Sequence, residues 1–189
     1  MTGFVASARP DAGQFTIITL TGPLAAVAAG GLASELSDLA AAAFAAPPWK
    51  ETPAHARQLT TRMLADARHP AFVLAFAFAF TGHGPALAGF GYGVPRWPGP
   101  AIAGTGQASA TEPFELCELA VRPGARGQGA GRALHDAIVA ASGPQLRWLV
   151  THPAAHPAVS LYRARGWHTR RLFPSRADGS PRLLMARAT

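Results

Sequence analysis

The sequence predicts one mixed α/β domain, residues 1–189, built on a single dominant sheet. Three observations carry that expectation. A chain of 189 residues with 49% apolar and 14% charged residues can bury one sizeable core and is too apolar for a disordered tail. Bulky residues recur at every second position in Phe72, Leu74, Phe76, Phe78 and Phe80, the period of a strand, whereas Leu32, Leu36, Leu39, Ala43 and Phe44 recur at helical spacing. From Phe114 onward, strand-like and helix-like segments alternate with short turns, and no internal repeat interrupts them.

The elements follow in order. Gln14 to Leu20, rich in β-branched residues, reads as a first strand closed by Thr21, Gly22 and Pro23. A helix follows on the Leu32–Phe44 pattern and is stopped by Pro47 and Pro48. Thr52 then stands as an N-cap before Pro53, opening a second helix through about Arg68. Phe72–Phe80 reads as a buried strand that forms a hairpin with Ala86–Val94 across Thr81–Pro85. Residues 95–113 lack any hydrophobic period and read as a long loop. Beyond it come a strand (114–121), a glycine-rich turn, a helix (129–142), a strand (145–151), a short helix (157–165) and closing strands near 167–173 and 182–187.

The totals exclude several classes. Apolar runs at Phe15–Ala33 and Ala71–Phe80 are too interrupted or too short for a signal peptide core or a membrane helix of ~20 residues. The lone Cys117 forms no internal disulfide, and no Cys/His set has zinc-ligand spacing, so a metal-free protein of the reducing cytoplasm is expected. The formal charge of +7 lies wholly in residues 115–189, where eleven arginines face four acids. Such a half suits a polyanion, either nucleic acid or a phosphate-bearing small molecule, and equally suits plain composition bias towards Arg, Ala, Gly and Pro.

The run Val121-Arg-Pro-Gly-Ala-Arg-Gly-Gln-Gly-Ala-Gly-Arg132 passes from strand to a helix with the apolar stripe Leu134, Ile138 and Ala141. Glycines there let successive N–H groups point at phosphate oxygens while the helix N-terminus adds partial positive charge, which Arg122, Arg126 and Arg132 would strengthen. A P-loop is excluded because no Gly-Lys-Ser/Thr follows Gly124 and Gly129. A dinucleotide fingerprint is excluded because Arg132 and Leu134 occupy the third-glycine positions.

Arg126, Gly129 and Gly131 do match the Arg/Gln-x-x-Gly-x-Gly/Ala loop of the GNAT superfamily of acetyl-coenzyme A-dependent N-acetyltransferases. Two further stretches resemble that family: Glu118-Leu-Ala-Val-Arg-Pro resembles the strand before the loop, and Ala158-Val-Ser-Leu-Tyr-Arg-Ala-Arg-Gly-Trp167 is similar to its A-x-x-L-Y-x-x-x-G-aromatic motif. Resemblance is specific over residues 114–168. It implies a mostly antiparallel mixed sheet flanked by helices, and acetyl-CoA as the acyl donor. It also implies that Leu119, Ala120 and Val121 pair with the pantetheine arm, and that the amides of Arg126, Gly127, Gln128, Gly129, Ala130, Gly131 and Arg132 hold the pyrophosphate. A small-molecule or peptide amine is the implied acceptor, with no nucleic-acid or membrane partner and with a homodimer admitted. One departure stands out, since Ala155 occupies the place of a frequent asparagine; His152 or His156 could compensate, although Pro153 and Pro157 deny that pair a regular helix.

By the same resemblance Tyr162 stands near the coenzyme sulfur and protonates the departing thiolate, a role its phenol of pKa about 10 suits; its other reading is a core aromatic. Glu118 is the candidate base that takes the ammonium proton, with Glu115 or a water as reserves, and its other reading is a structural carboxylate paired with arginine. Strand alternation puts Glu118 with Leu116 and Ala120, opposite Cys117, Leu119 and Val121. The expected reaction is direct attack in a ternary complex, with backbone N–H groups stabilising the tetrahedral intermediate. A non-catalytic acyl-CoA-binding domain and a nucleic-acid binder are the competing functions. The acceptor should meet residues 44–53, 95–113 and 173–182, where Trp49 and Trp97 could line a cleft.

Overall fold

The computed structural model describes residues 15–82, 84–98 and 111–188. In chain order the elements are β1 (Phe15–Thr21), α1 (Gly22–Gly31), α2 (Ala33–Phe44), α3 (Pro53–Asp66), β2 (Val73–Thr81), β3 (Gly84–Pro95), β4 (Phe114–Val121), α4 (Ala130–Ala141), β5 (Arg147–Thr151), α5 (His156–Ala164), β6 (His168–Pro174) and β7 (Pro181–Arg187). The strands form one seven-stranded sheet in the order β1-β2-β3-β4-β5-β7-β6. Every neighbouring pair is antiparallel except β4 and β5, which run parallel. This is the mostly antiparallel mixed sheet that the sequence implied, and the strands and helices it predicted all recur within a few residues. Gln14, His83 and residues 99–110 of the expected long loop lie outside the described residues.

Two apolar layers cover the sheet. On one face α1, α2 and α3 pack over Leu74, Phe76, Phe90, Tyr92 and Val94, with Leu36, Leu39 and Met63 completely buried. On the other face α4 and α5 pack over Val73, Ala75, Ala77, Leu116, Leu149 and Met185. Alternation along β2 therefore sorts bulky residues to the first face and small ones to the second. The same division continues on β3, where a Cβ on Gly91 would meet Ile138 Cδ1 at 2.7 Å and one on Gly89 would meet Leu134 Cδ1 at 3.0 Å. Glycine at these two positions lets α4 lie directly on the sheet.

The structure corrects two expectations. Thr21-Gly22-Pro23 ends β1 but also begins a helix: Gly22 turns the chain with φ +58°, and Pro23 sits in the first turn of α1, where its missing N–H is harmless. The sequence hid α1 because its alanines and glycines carry no amphipathic period. In β2 the bulky stripe is not buried to its end, since Phe80 is 70% exposed where the hairpin runs past the helices. No single helix among the described residues is long and apolar enough to cross a membrane.

Much of the C-terminal charge has internal partners. Buried Arg147 donates to Ser142 Oγ at 2.8 Å and to the Gly143 carbonyl, Arg165 forms two bonds to Asp136 at 2.9 and 3.0 Å, and Arg122 donates to the Leu87 carbonyl at 2.8 Å.

Gly93 gives a test of the close packing between β3 and β4, because its added Cβ would fall on the Phe114 ring and the Glu115 carbonyl. We expect Gly93→Ala to lose about 1–3 kcal/mol or more in chemical denaturation, the scale of overpacking. Gly124→Ala, whose Cβ meets nothing within 4 Å, should stay within about half a kilocalorie of the parent.

Candidate active site

Parallel pairing of β4 with β5 covers only Phe114↔Arg147 and Glu115↔Trp148. Beyond that, Leu116 and Glu118 to Val121 remain paired with β3 on one side and have no strand partner on the other. The two strands thus part in the middle of the sheet and leave a backbone edge available to an extended ligand. Leu119, Ala120 and Val121 lie on this open stretch. Leu119 and Val121 lean on the α4 side, and Ala120 is buried on the α1–α3 side.

The glycine-rich segment starts where the open edge ends. A single 3-10 turn at Pro123–Ala125 leads to Gly127 and Gly129, with φ of +75° and +94°, and Gly129 caps α4. Positive φ explains glycine at both places, and a Cβ on either would meet no protein atom within 4 Å. Among the described residues the N–H groups of Gly127 through Arg132 have no protein acceptor, and the first helical bond of α4 runs from Ala133 to Gly129. Six such donors at a helix N-terminus, with open space in front of the glycines, fit a pyrophosphate. The arginines divide differently from expectation: Arg126 donates to the Val121 and Ala43 carbonyls, tying the loop to the end of α2, and Arg122 holds the β3 backbone. Gln128 braces the turn through Gly124 at 2.9 Å.

A β-bulge decides which way the carboxylates face. Tyr92 pairs with Glu118 and Gly93 with Leu116, so Cys117 is an extra residue on β4. It resets the alternation: Cys117 and Ala120 pack towards α1–α3, while Leu116, Leu119 and Val121 pack towards α4. Glu118 therefore keeps the face of Ala120, opposite Leu119 and Val121, as strict alternation predicts, but the bulge exchanges Leu116 and Cys117: Cys117 joins the face of Glu118 and Leu116 lies opposite, which corrects that part of the expectation.

On this face Glu118 accepts a 2.8 Å bond from Arg62 of α3. Arg96 bridges Glu115, at 2.9 Å, and Asp66 of α3, while the Tyr92 hydroxyl donates to Asp66 at 3.4 Å. The Glu118 side chain is only 18% exposed. Burial pushes its carboxyl up to about 7, against the pull of Arg62, and Glu51 and Glu115 add to the rise. Glu115 is also raised by burial, with Arg96 opposing. Burial drives the Cys117 thiol well up, which keeps it protonated and unreactive.

Tyr162 of α5 is buried on the α4 side of the sheet, its ring against His135 and Trp167 at centroid distances of 6.1 and 5.9 Å. Burial raises its phenol above the ordinary value, and the charge of Glu118 raises it further, so the two groups share one electrostatic environment. Beneath it, the Trp167 indole N–H donates to His135 Nε2 at 2.8 Å, and His135 Nδ1 lies 2.8 Å from Asp136, which also holds Arg165. Sequence reasoning missed His135, Arg62, Asp66 and Arg96. Only the four-residue spacing of Arg62 and Asp66, which places both on one side of α3, hinted at a shared role.

Ala155 is buried at the start of α5 and donates to the His152 carbonyl. His152 accepts from the Ala154 N–H at 3.0 Å and packs against Trp49, itself seated between Phe44 and Arg182; His156 is exposed. Trp97 is 53% exposed. No group of three or more His, Cys, Asp or Glu side chains suited to a metal occurs among the described residues.

With this geometry in hand, residues 34–167 match the model of the acetyltransferase (GNAT) family. Over 89 residues the chain is 44% identical to mycothiol acetyltransferase of Streptomyces coelicolor, a stretch covering 42% of this chain and 29% of that protein. The chain thus matches less than a third of that relative's length. Among solved structures, histone acetyltransferase HPA2 and related acetyltransferase of Corynebacterium glutamicum superposes with a TM-score of 0.61 at 23% identity, covering 90% of this chain and 94% of that one. The NatC complex bound to Gag peptide and CoA superposes with a TM-score of 0.62 at 12% identity, covering 92% and 98%. At these identities the structural likeness concerns the fold.

The raised Glu118 carboxyl has a thermodynamic consequence. Unfolded glutamate titrates near 4.3, so between there and about 7 the folded chain holds a proton that the unfolded chain has lost. Its contribution is present in full below about pH 4.3 and is lost as the pH rises to about 7. Thermal denaturation of Glu118→Gln against the parent should show the parent losing stability relative to the variant across this window, by up to about 1.4 kcal/mol per pH unit. Parallel curves would show that Glu118 titrates as an ordinary carboxylate.

Proposed function

The chain belongs to the GNAT acetyltransferase family, and from that premise we propose that it transfers acetyl from acetyl-CoA to a primary amine by direct attack in a ternary complex. The observation that carries this reading is the open edge of β4, which runs into six unpaired N–H groups at the head of α4 and itself carries the half-buried carboxylate of Glu118, whose charge acts on the buried phenol of Tyr162. A small-molecule or peptide amine is the acceptor class, and a homodimer is compatible with it.

Acetyl-CoA would supply the activated thioester carbonyl. Backbone groups of Leu119, Ala120 and Val121 would receive the pantetheine arm and the amides of Gly127 to Arg132 would hold the pyrophosphate; the Arg126 amide, expected to join them, is bonded to the Pro123 carbonyl instead, and the Arg126 and Arg122 side chains fix the loop rather than clasp the anion. Glu118 Oε accepts a proton from the acceptor nitrogen, which becomes nucleophilic. As the N–C bond forms and the C–S bond breaks, the Tyr162 hydroxyl would give its proton to sulfur while the second proton of the acceptor nitrogen passes, directly or through water, to the phenolate, so the phenol is restored. Burial and the charge of Glu118 keep the phenol protonated in the resting site, and uptake of the nitrogen's proton as it yields its own makes the transfer to sulfur feasible. Backbone N–H donors next to the attacked carbonyl stabilise the negative charge on its oxygen.

Acetyl-CoA at ~100 times its dissociation constant should add about 2.7 kcal/mol of stability, read as a rise in melting temperature. Gly129→Val should lose that rise, because valine resists the φ of +94° and fills the space before the amides. Calorimetry showing no binding to the parent at millimolar acetyl-CoA would end the assignment.

Screening amines, peptides and aminoglycosides for acetylation identifies the acceptor. With it, Tyr162→Phe should fall 10²- to 10⁴-fold in turnover at unchanged acetyl-CoA affinity, and Glu118→Gln should lose the rising limb near pH 7 in kcat/KM. A domain that only binds acyl-CoA would keep the thermal shift and acetylate no member of the panel.

A further inference from the structure

The charged groups around Glu118 form two rungs between α3 and the β3–β4 end of the sheet. Arg62 and Asp66 are one helical turn apart, and the bulge at Cys117 brings Glu115 and Glu118 to the same face of β4. One rung is Asp66 with Arg96 and Glu115, in which a single guanidinium serves two carboxylates. The other is Arg62 with Glu118. Arg62 is 58% exposed at its side chain whereas Glu118 is 18% exposed, so the cation reaches in from solvent to a carboxylate that has little water of its own.

The strongest other charges acting on Glu118 are the carboxylates of Glu51, from the α2–α3 connection, and Glu115, on its own strand, both of which raise it; the Tyr162 phenol of α5, Tyr92 of β3 and the Cys117 thiol also interact with it and are neutral at ordinary pH. Arg96 is committed to the other rung. Without Arg62, burial and two neighbouring carboxylates would all drive Glu118 towards its neutral form, which cannot accept a proton.

We infer that Arg62 is a positioning residue for the transfer step: its guanidinium, seated on Glu118 from α3, keeps that carboxylate ionised and ready to take the acceptor's proton. The inference rests on Glu118 being the base, and it adds a residue that works only through it. An opposite charge at 2.8 Å shifts a carboxyl by about one to three pH units, so losing Arg62 moves Glu118 up by at least about one unit. At pH values below the limb, a one-unit move lowers the ionised fraction about tenfold.

The titration can be followed directly in the full-length chain carrying ¹³C at the glutamate carboxyls. Its five glutamates give five signals, and Glu118→Gln identifies the one that disappears. Arg62→Gln is expected to raise the Glu118 midpoint by about one unit or more, and Arg62→Lys to restore most of it. In the amine acetylation assay the ratio of parent to Arg62→Gln kcat/KM should be about ten below the limb and shrink as the pH rises. A Glu118 midpoint unmoved in Arg62→Gln overturns the inference, even if Glu118→Gln has lost the limb. Retention of the limb in Glu118→Gln instead overturns the base assignment, and the role of Arg62 falls with it.

Discussion

The short parallel contact between β4 and β5 is the constraint on which the rest of the site depends. At one end the strands are held firmly. Arg147 is buried and bonded to Ser142 and Gly143, and the indole N–H of the adjacent Trp148 donates to the Arg96 carbonyl at 2.9 Å. Past Glu115 the pairing stops, although β4 continues for six residues, so its backbone must find other partners or water. An opening of this kind in mid-sheet survives because helices pack on both faces of the sheet: α1–α3 on one side and α4 with α5 on the other.

Close approach of α4 to the sheet depends on what β2 and β3 lack. Alanines of β2 and glycines of β3 leave no side-chain layer between α4 and the strands, which fixes the position of the α4 N-terminus. The donors of Gly127 to Arg132 are thereby held at the end of the open edge. Arg126 adds a second constraint from the opposite face by capping the last turn of α2 through the Ala43 carbonyl. A loop that must present bare N–H groups to an anion is thus held by its side chains and by the helix that follows.

Electrostatics on the α3 side follows from a single inserted residue. The bulge at Cys117 leaves Glu118 on one face with Glu115, Arg62, Asp66 and Arg96, and there burial raises its carboxyl towards neutrality while Arg62 resists. Tyr162 reaches the same field from the other side of the sheet, since the strands have parted between them. Behind Tyr162, His135 is held between the indole of Trp167 and the carboxylate of Asp136, and burial lowers its basicity, so it supports the phenol as a neutral ring.

The sequence by itself determined what depends on neighbours along the chain. The period of two in β2, the helical spacing of α2 and α4, the N-cap at Thr52 and the glycines before α4 were legible, as was the family resemblance across residues 114–168. It did not reveal α1, whose alanines and glycines have no amphipathic face to read. Nor could it reveal that Glu118 shares its face with Cys117 and Glu115, because one unpaired residue reverses strand alternation and leaves no mark in composition. The partners of the charges were also decided only in three dimensions. Arg62 meets Glu118 across 56 positions and Arg126 meets Ala43 across 83, separations over which the chain's order says nothing about distance. Local propensity and period are written into adjacent residues, whereas register, burial and charge pairing arise only when the sheet and its two helical layers close around them.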